Sequence, residues 1–381
     1  MEQAPALLLI NAGEDSEFFY ATRFLTEDPA LYIRFGEGDD VLVLNVMEIE
    51  RGRQTSTASQ VVDRAEHGWR EDLDGYRAWA QLAAGLLRER GQARARVSGR
   101  LPAAYYEELR SADVDLELDK ALFVAQRRRK SAEEADWIHA AQRAAEAACA
   151  EIVNQLAAAE VKDGDLWADG RPLTSERLLT AGQAALNQIG YSCDDMIVAG
   201  SPLCAMPHWR GEGPILANAP VIIDIFPRGR VSRYHGDLTR TVVVGETSAD
   251  VQRMHLACLD ALAAAIAAIR PGVNGRAIHE AACKVLVGHG FGTVTPGFEG
   301  SPEVALMTHS TGHGVGLDVH ELPVLRPVDM LLEEGDVVTV EPGLYKEGLG
   351  GVRVEDTGIV TADGFRNFTS LTRSLDPKAY R

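Results

Sequence analysis

Cysteine is scarce in this 381-residue chain: Cys149, Cys193, Cys204, Cys258 and Cys283 are the five, with no C-x-x-C spacing. An odd, scattered set argues against a disulfide framework and a sulfur-ligated zinc, and predicts free thiols in a reducing compartment. Long apolar runs are missing too. The start, MEQAPALLLINAGED, holds five consecutive apolar residues and no basic segment before them, unlike a secretory signal. No run approaches the roughly 20 residues of a membrane span. Positive charge is short: 38 Lys and Arg against 56 Asp and Glu leave a net −18. That balance argues against nucleic acid or an anionic membrane as partner. The expectation is a cytoplasmic protein. The local exceptions are the arginine-rich stretch Arg88–Arg100 and the run Arg127-Arg128-Arg129-Lys130, both read as solvated helix or linker faces.

What is present is the composition of a globular protein, 46% apolar and 25% charged, at a length that allows two domains. The first 125 or so residues read as alternating short strands and helices. The runs ALLLI and DDVLVLNV suit buried parallel strands, Tyr76 to Arg90 has apolar residues at helical spacing, and a second α/β pair closes on ALFVAQ. The texture changes at RRRKSAEEADWIHAAQ. Ser131 and Glu134 form a capping-box pattern ahead of an apolar stripe of Trp137, Ile138, Ala141, Ala145, Ala148 and Ile152. The boundary is placed here, giving domains 1–127 and 128–381. Three more helices are expected at about 174–190, 250–269 and 275–289. Between and after them lie the β-prone runs APVIIDIF, RTVVVGE, DVVTVEPGLY and GVRVEDTGIVT.

A buried strand does not carry a carboxylate unless something neutralises it. Each of these runs carries one. Asp224 interrupts VIIDIF, Asp237 opens the next strand, Glu341 ends DVVTVEPG, and Glu355 follows Arg353 by two, on the same strand face. Singly, each could be a surface acid or half of a local ion pair, Asp237 with Arg240 and Glu355 with Arg353. As a set of four they need more positive charge than those arginines supply, and two divalent cations would balance them. The glycine-rich stretch THSTGHGVGLDVHE, residues 308–321, adds His309, His313 and His320 on what reads as a loop passing close to the site. Oxygen-rich ligation with one imidazole suits Mn²⁺, Co²⁺ or Fe²⁺, with Zn²⁺ allowed.

This order of Asp, Asp thirteen positions on, then His, Glu and Glu resembles the pita-bread metallopeptidases. That family includes methionine aminopeptidase, Xaa-Pro aminopeptidase and Xaa-Pro dipeptidase (prolidase). The likeness covers roughly residues 128–381, and the N-terminal part looks like the creatinase-type extra domain of the proline-specific branch. The resemblance implies an α/β chain: a smaller creatinase-like α/β domain, then an α+β pita-bread catalytic domain. It implies Asp224, Asp237, His313, Glu341 and Glu355 as ligands of two divalent ions, Mn²⁺ first, with Asp237 and Glu355 bridging. His208, His309, His320, Tyr345 and Arg353 match accessory positions of that branch. Phe226 stands where many relatives have glycine. Small proline-containing peptides are the implied substrates and a homodimer the implied assembly.

The implied chemistry is hydrolysis by a water that the ions acidify. Glu341 would shuttle its proton, His320 would face the developing oxyanion, and Arg353 would orient ligand carboxylates. His208 and His309 would line the pocket for the residue after the scissile bond, with Tyr345 at the substrate. A dipeptidase is favoured over an aminopeptidase acting on longer peptides. A metal-free hydrolase like creatinase and a catalytically silent binding module are the rivals, and neither has a use for five intact ligands. His67, His139, His235, His255, His279 and His289 are read as structural or surface residues.

Overall fold

The computed structural model describes residues 4–11 and 15–380. Two compact units form, Met1–Ala125 and Gln126–Arg381. The first is built on six strands: β1 (Ala6–Asn11), β2 (Ala30–Gly36), β3 (Asp39–Leu44), β4 (Gln60–Asp63), β5 (Arg94–Ser98) and β6 (Asp115–Asp119). They lie side by side in the order β4-β3-β2-β1-β5-β6. The helices of this unit are α1 (Ser16–Thr22), α2 (Ile49–Thr55), α3 (Gly75–Glu89) and α4 (Ala103–Ser111).

The sheet is mixed, which corrects the expectation of parallel strands. β1 runs parallel to β5 but antiparallel to β2, and β3 runs parallel to β4 but antiparallel to β2. The cause is the strand ALYIRFG, which sequence reading passed over. It joins β3 through the short turn Glu37-Gly38, and so tight a link permits only antiparallel pairing. The unbroken run ALLLI has a simple origin: Leu8 and Ile10 face one buried cluster with Trp79 and Leu82, while Leu7 and Leu9 face another with Phe18 and Phe24. ALFVAQ is not a strand. Leu122 and Phe123 lie in a turn that packs into the second cluster, and α5 (Val124–Arg128) follows.

The second unit opens with α6 (Ala132–Ala158), whose N-terminus is closed by the Ser131–Glu134 capping box. Each half of that box satisfies an otherwise orphaned backbone N–H. α7 (Ser175–Gln188), α8 (Ala249–Ala268) and α9 (Gly275–Gly288) fall where apolar periodicity placed them. Three sheets matter for the site. One is an antiparallel trio, β7 (Ile197–Gly200), β8 (Pro220–Ile225) and β9 (Leu238–Val243). A five-stranded sheet holds β10 (Gly312–Gly314), β11 (Glu321–Leu325), β12 (Val337–Val340), β15 (Asp356–Thr361) and β16 (Gly364–Asn367). A four-stranded sheet pairs residues 292–293 and 306–307 with β13 (Gly343–Lys346) and β14 (Gly350–Arg353).

Helices α6 and α7 pack on the trio through Ile152, Leu178, Leu186, Val198, Ile223 and Leu238. Helices α8 and α9 pack through Met254, Leu262, Ile278 and Leu286 on Val338, Val340, Leu344 and Val352. By length and composition α8 alone among the described residues could cross a membrane, yet its apolar face lines this core.

The run Arg127 to Lys130 corrects a second expectation, because only Arg129 is solvated. Arg127 pairs with Asp318 (3.0 Å) and Glu321 (2.5 Å), and Lys130 Nζ lies 2.6 Å from Glu321. Arg128 grips the fully buried Asp336 at 2.7 Å. The other basic stretch behaves as expected: Arg90, Arg94 and Arg96 make half-exposed surface pairs with Asp39, Asp115, Glu117 and Asp119.

Candidate active site: acids at strand breaks

Asp224 lies within β8, opposite Thr239 of β9, and shares a strand face with Ile222. The other three acids sit at strand interruptions. Asp237 is one residue short of β9. Glu341 and Pro342 separate β12 from β13 where the chain leaves the five-stranded sheet for the four-stranded one. Val354 and Glu355 separate β14 from β15 where it returns. Glu355 is therefore not on a common strand with Arg353, as expected from sequence, but in the break just after it.

With no ladder partner, these backbone groups bond elsewhere. Glu341 N–H donates to the Thr311 carbonyl (2.8 Å) and Glu355 N–H to that of Thr239 (3.1 Å).

His313 is on strand β10 rather than in a loop, and its glycines serve strand packing. A Cβ on Gly312 would lie 2.1 Å from the Thr339 carbonyl oxygen, and one on Gly314 2.5 Å from that of Leu322. The His313 Nδ1–H donates to the Gly314 carbonyl at 3.1 Å. That leaves Nε2 as a bare acceptor, 3.4 Å from Glu341 Oε1 and 3.6 Å from Asp237 Oδ2. Ligand atoms of Asp237, His313 and Glu355 all lie within 4.8 Å of one another.

The local ion pairs that could have explained the acids away do not form. Arg240 turns to Asp356 (3.0 Å) and the Glu355 carbonyl, and Arg353 turns to Asp224 (2.5 Å) and the Tyr345 hydroxyl (2.7 Å). Glu355 instead accepts from the Thr239 hydroxyl at 2.7 Å.

One guanidinium thus faces four carboxylates. Burial, with Asp224 and Glu341 nearby, holds Asp237 well above the usual carboxylate range. Burial and Asp237 do the same to Glu355. Burial pushes Glu341 up to about 8 even though Arg353 pulls it down. His313 is held down to about 4 by burial and the neighbouring His320. A neutral imidazole nitrogen aimed at carboxylate oxygens, all acceptors, is a set of ligand atoms that fits divalent cations.

Around this cluster the accessory residues divide. His309 is neutral, its pKa lowered to about 3 by burial and the Arg353 charge. Its Nδ1 meets the Ser310 carbonyl at 2.8 Å and its Nε2 the Tyr345 hydroxyl at 2.8 Å, so both nitrogens are engaged. His208 and His320 are exposed, and the His320 ring stands edge-on to His313 with centroids 4.2 Å apart. His235 is tied into the hairpin wall, its N–H on the Gly316 carbonyl and its Nδ1 near the Phe226 carbonyl.

Sequence reading missed Thr239, which supports Glu355, and Gln142, which holds the Asp237 backbone. A polar side chain inside the apolar stripe of α6 was the available signal for Gln142.

Four acids and one imidazole gather at and between strands packed by two helix pairs, the pita-bread type of fold, with a smaller α/β unit ahead of it in sequence. The chain belongs to metallopeptidase family M24, whose sequence profile matches residues 136–362. It is 33% identical over 183 residues to the Xaa-Pro dipeptidase of Pyrococcus furiosus, covering 48% of this chain and 49% of that one. It is 37% identical over 212 residues to Xaa-Pro aminopeptidase 1 of Streptomyces coelicolor, covering 50% and 42%. The chain spans about half the length of the curated relatives it matches. In fold it resembles the Xaa-Pro dipeptidase from Bacillus anthracis (TM-score 0.82, 24% identity, 97% and 94% covered). It also resembles the prolidase from Pyrococcus horikoshii (0.78, 23%, 97% and 95%).

Proposed function

We propose that this protein hydrolyses the Xaa-Pro bond of small peptides, dipeptides first, using two divalent cations of which Mn²⁺ is the leading candidate. The observation that carries this reading is the bare Nε2 of His313 facing Asp237 and Glu341 beside the buried Glu355. The printed activities of the relatives, Xaa-Pro dipeptidase and Xaa-Pro aminopeptidase, supply the bond type. The five cysteines are all buried free thiols, which supports a reducing, cytoplasmic setting.

Asp224 and Asp237 would hold one ion and His313 and Glu341 the other, with Asp237 and Glu355 shared. Bound there, the ions would supply an acidified water and polarise the scissile carbonyl. The rest falls to the chain. Glu341, whose side chain keeps 16% exposure, takes the proton from the attacking water and returns it to the proline nitrogen. His320, exposed beside His313, donates to the oxyanion. Arg353 fixes the Asp224 carboxylate and, through Tyr345, the ring of His309.

The proline preference has a physical basis. An Xaa-Pro amide has no N–H, so a site gripping that hydrogen rejects it. His309, with both nitrogens engaged, offers a ring surface rather than a hydrogen bond, which suits a pyrrolidine.

The higher identity to Xaa-Pro aminopeptidase 1 favours longer peptides as the second reading. Xaa-Pro dipeptides, Xaa-Pro-Yaa tripeptides and Met-peptides offered to the Mn²⁺-loaded protein separate the two. Dipeptide cleavage well above the others is expected. Tripeptides cut at a comparable rate would replace the first reading by the second, and cleavage of Met-peptides alone would sink both.

A further inference from the structure

Gln142 is completely buried, at 0% exposure, and every polar atom of its side chain is in use. Its Oε1 accepts from the backbone N–H of Asp237 at 2.8 Å, and its Nε2 donates to the carbonyl of the same residue at 2.8 Å. The second hydrogen on Nε2 reaches the Thr369 hydroxyl at 2.9 Å. The Thr357 hydroxyl donates to the same Asp237 carbonyl, also at 2.8 Å.

The need for this arrangement lies in the sheet register. Ile225 opposite Leu238 is the last pair between β8 and β9, so Asp237 is one residue past the ladder. Without Gln142 the buried N–H of Asp237 would lose the acceptor it has here and its carbonyl would keep only the Thr357 hydroxyl, and a buried N–H left unpaired is costly. A carboxamide presents a donor and an acceptor side by side, as the peptide of an adjacent strand does. Helix α6 comes close enough because residue 236 is glycine: a Cβ there would sit 2.6 Å from Ala141 C and Gln142 N.

We propose that Gln142 is a positioning residue of the metal centre. It replaces the missing strand at Asp237 and fixes the backbone from which the shared carboxylate projects. This inference rests on the two-cation reading above, although it concerns metal affinity and not the substrate. A carboxylate that would serve two ions tolerates little rotation of its own backbone. The helix thereby sets the affinity of a site 95 residues further along the chain.

The test uses the full chain stripped of metal and titrated with Mn²⁺ by calorimetry, with circular dichroism and thermal melting in chelator as fold controls. Gln142→Met keeps the length and loses all three hydrogen bonds. Its expected effect is an Mn²⁺ affinity lower by about 10–100-fold. At limiting Mn²⁺ kcat falls, it recovers as Mn²⁺ is raised, and KM moves by less than about 3-fold. A filler of the core would give instead a lower melting point with unchanged affinity.

Should Gln142→Met fail to fold, Thr357→Val removes one donor from the Asp237 carbonyl and is expected to cause a smaller loss of affinity in the same direction. Unchanged affinity in a folded variant, with wild type binding Mn²⁺, overturns the role of Gln142 alone. A wild-type chain that binds no Mn²⁺ overturns the metal reading together with it.

Discussion

Glu341 retains 16% side-chain exposure while Asp237 retains 6%, and that difference suits the two roles proposed for them. A proton shuttle has to reach both water and leaving group, whereas a shared ligand only has to hold still. Glu341→Gln is expected to lower kcat by about 10²–10⁴-fold with the fold intact, and steady-state kinetics with a circular dichroism control checks it. Asp237→Asn makes a different prediction. In chelator it relieves repulsion among buried acids, so its melting point should rise above wild type even though turnover is lost. A lower melting point would mean that Asp237 is not held against its neighbours.

His279 gives the pH signature at this scale. Both its nitrogens are bonded to hydroxyls, Nδ1 to Thr311 and Nε2 to Thr295, and burial lowers its pKa to about 4. The unfolded chain takes up that proton near pH 6.5 and the folded chain does not. Stability from this residue is therefore full above about 6.5 and is lost as pH falls towards 4. Replacing His279 by Gln should flatten that limb by up to about 1.4 kcal/mol per pH unit. Denaturant melts of both proteins from pH 7 to 4.5 read it, and parallel limbs would count against the assignment. At this scale the chain was largely legible, because an acid in an apolar strand is a local contradiction. The true partners of those acids were not: Arg353 reaches Asp224 across 129 positions and leaves Glu355 to the Thr239 hydroxyl.

Elements explain where that legibility ended. Periodicity located α6 to α9 because each buries one stripe. It could not see that DVVTVEPGLY and GVRVEDTGIVT each supply two strands to two sheets, since both halves are equally apolar. The run Arg127 to Lys130 looked solvated because its acidic partners lie about 190 residues away. In the fold, Arg127 and Lys130 clamp Glu321, the residue after His320, with Lys130 at 1% side-chain exposure. Lys130→Met should therefore destabilise by about 3–5 kcal/mol, because Glu321 keeps a buried charge with one partner fewer. Combined with Glu321→Gln the loss should be partly recovered, and the double-mutant cycle by chemical denaturation measures that coupling. Strict additivity would mean that the clamp is not a unit. A fall in kcat with little change in KM would show in addition that the clamp holds His320.

At the scale of the whole molecule the acids belong to different sheets. Asp224 and Asp237 come with the β7–β9 trio, His313 with the five-stranded sheet, and Glu341 and Glu355 from crossings between that sheet and the four-stranded one. Without cations, these buried acids gather around one guanidinium, and burial and one another hold Asp237, Glu341 and Glu355 towards their protonated forms. Binding only the native arrangement, cations at one hundred times their dissociation constant would add about 2.7 kcal/mol per site. That stabilisation should be felt where the sheets meet, and unit 1, with its own two cores, holds none of the ligands. Hydrogen exchange on the full chain with and without Mn²⁺ is the direct measurement. Protection is expected to grow at 222–241, 311–325 and 337–357, the backbone of the breaks included, and to stay unchanged at 30–44 and 94–98. Added protection confined to one sheet would mean that the ions sit on that sheet alone, and the picture of cations riveting three sheets would fall with it.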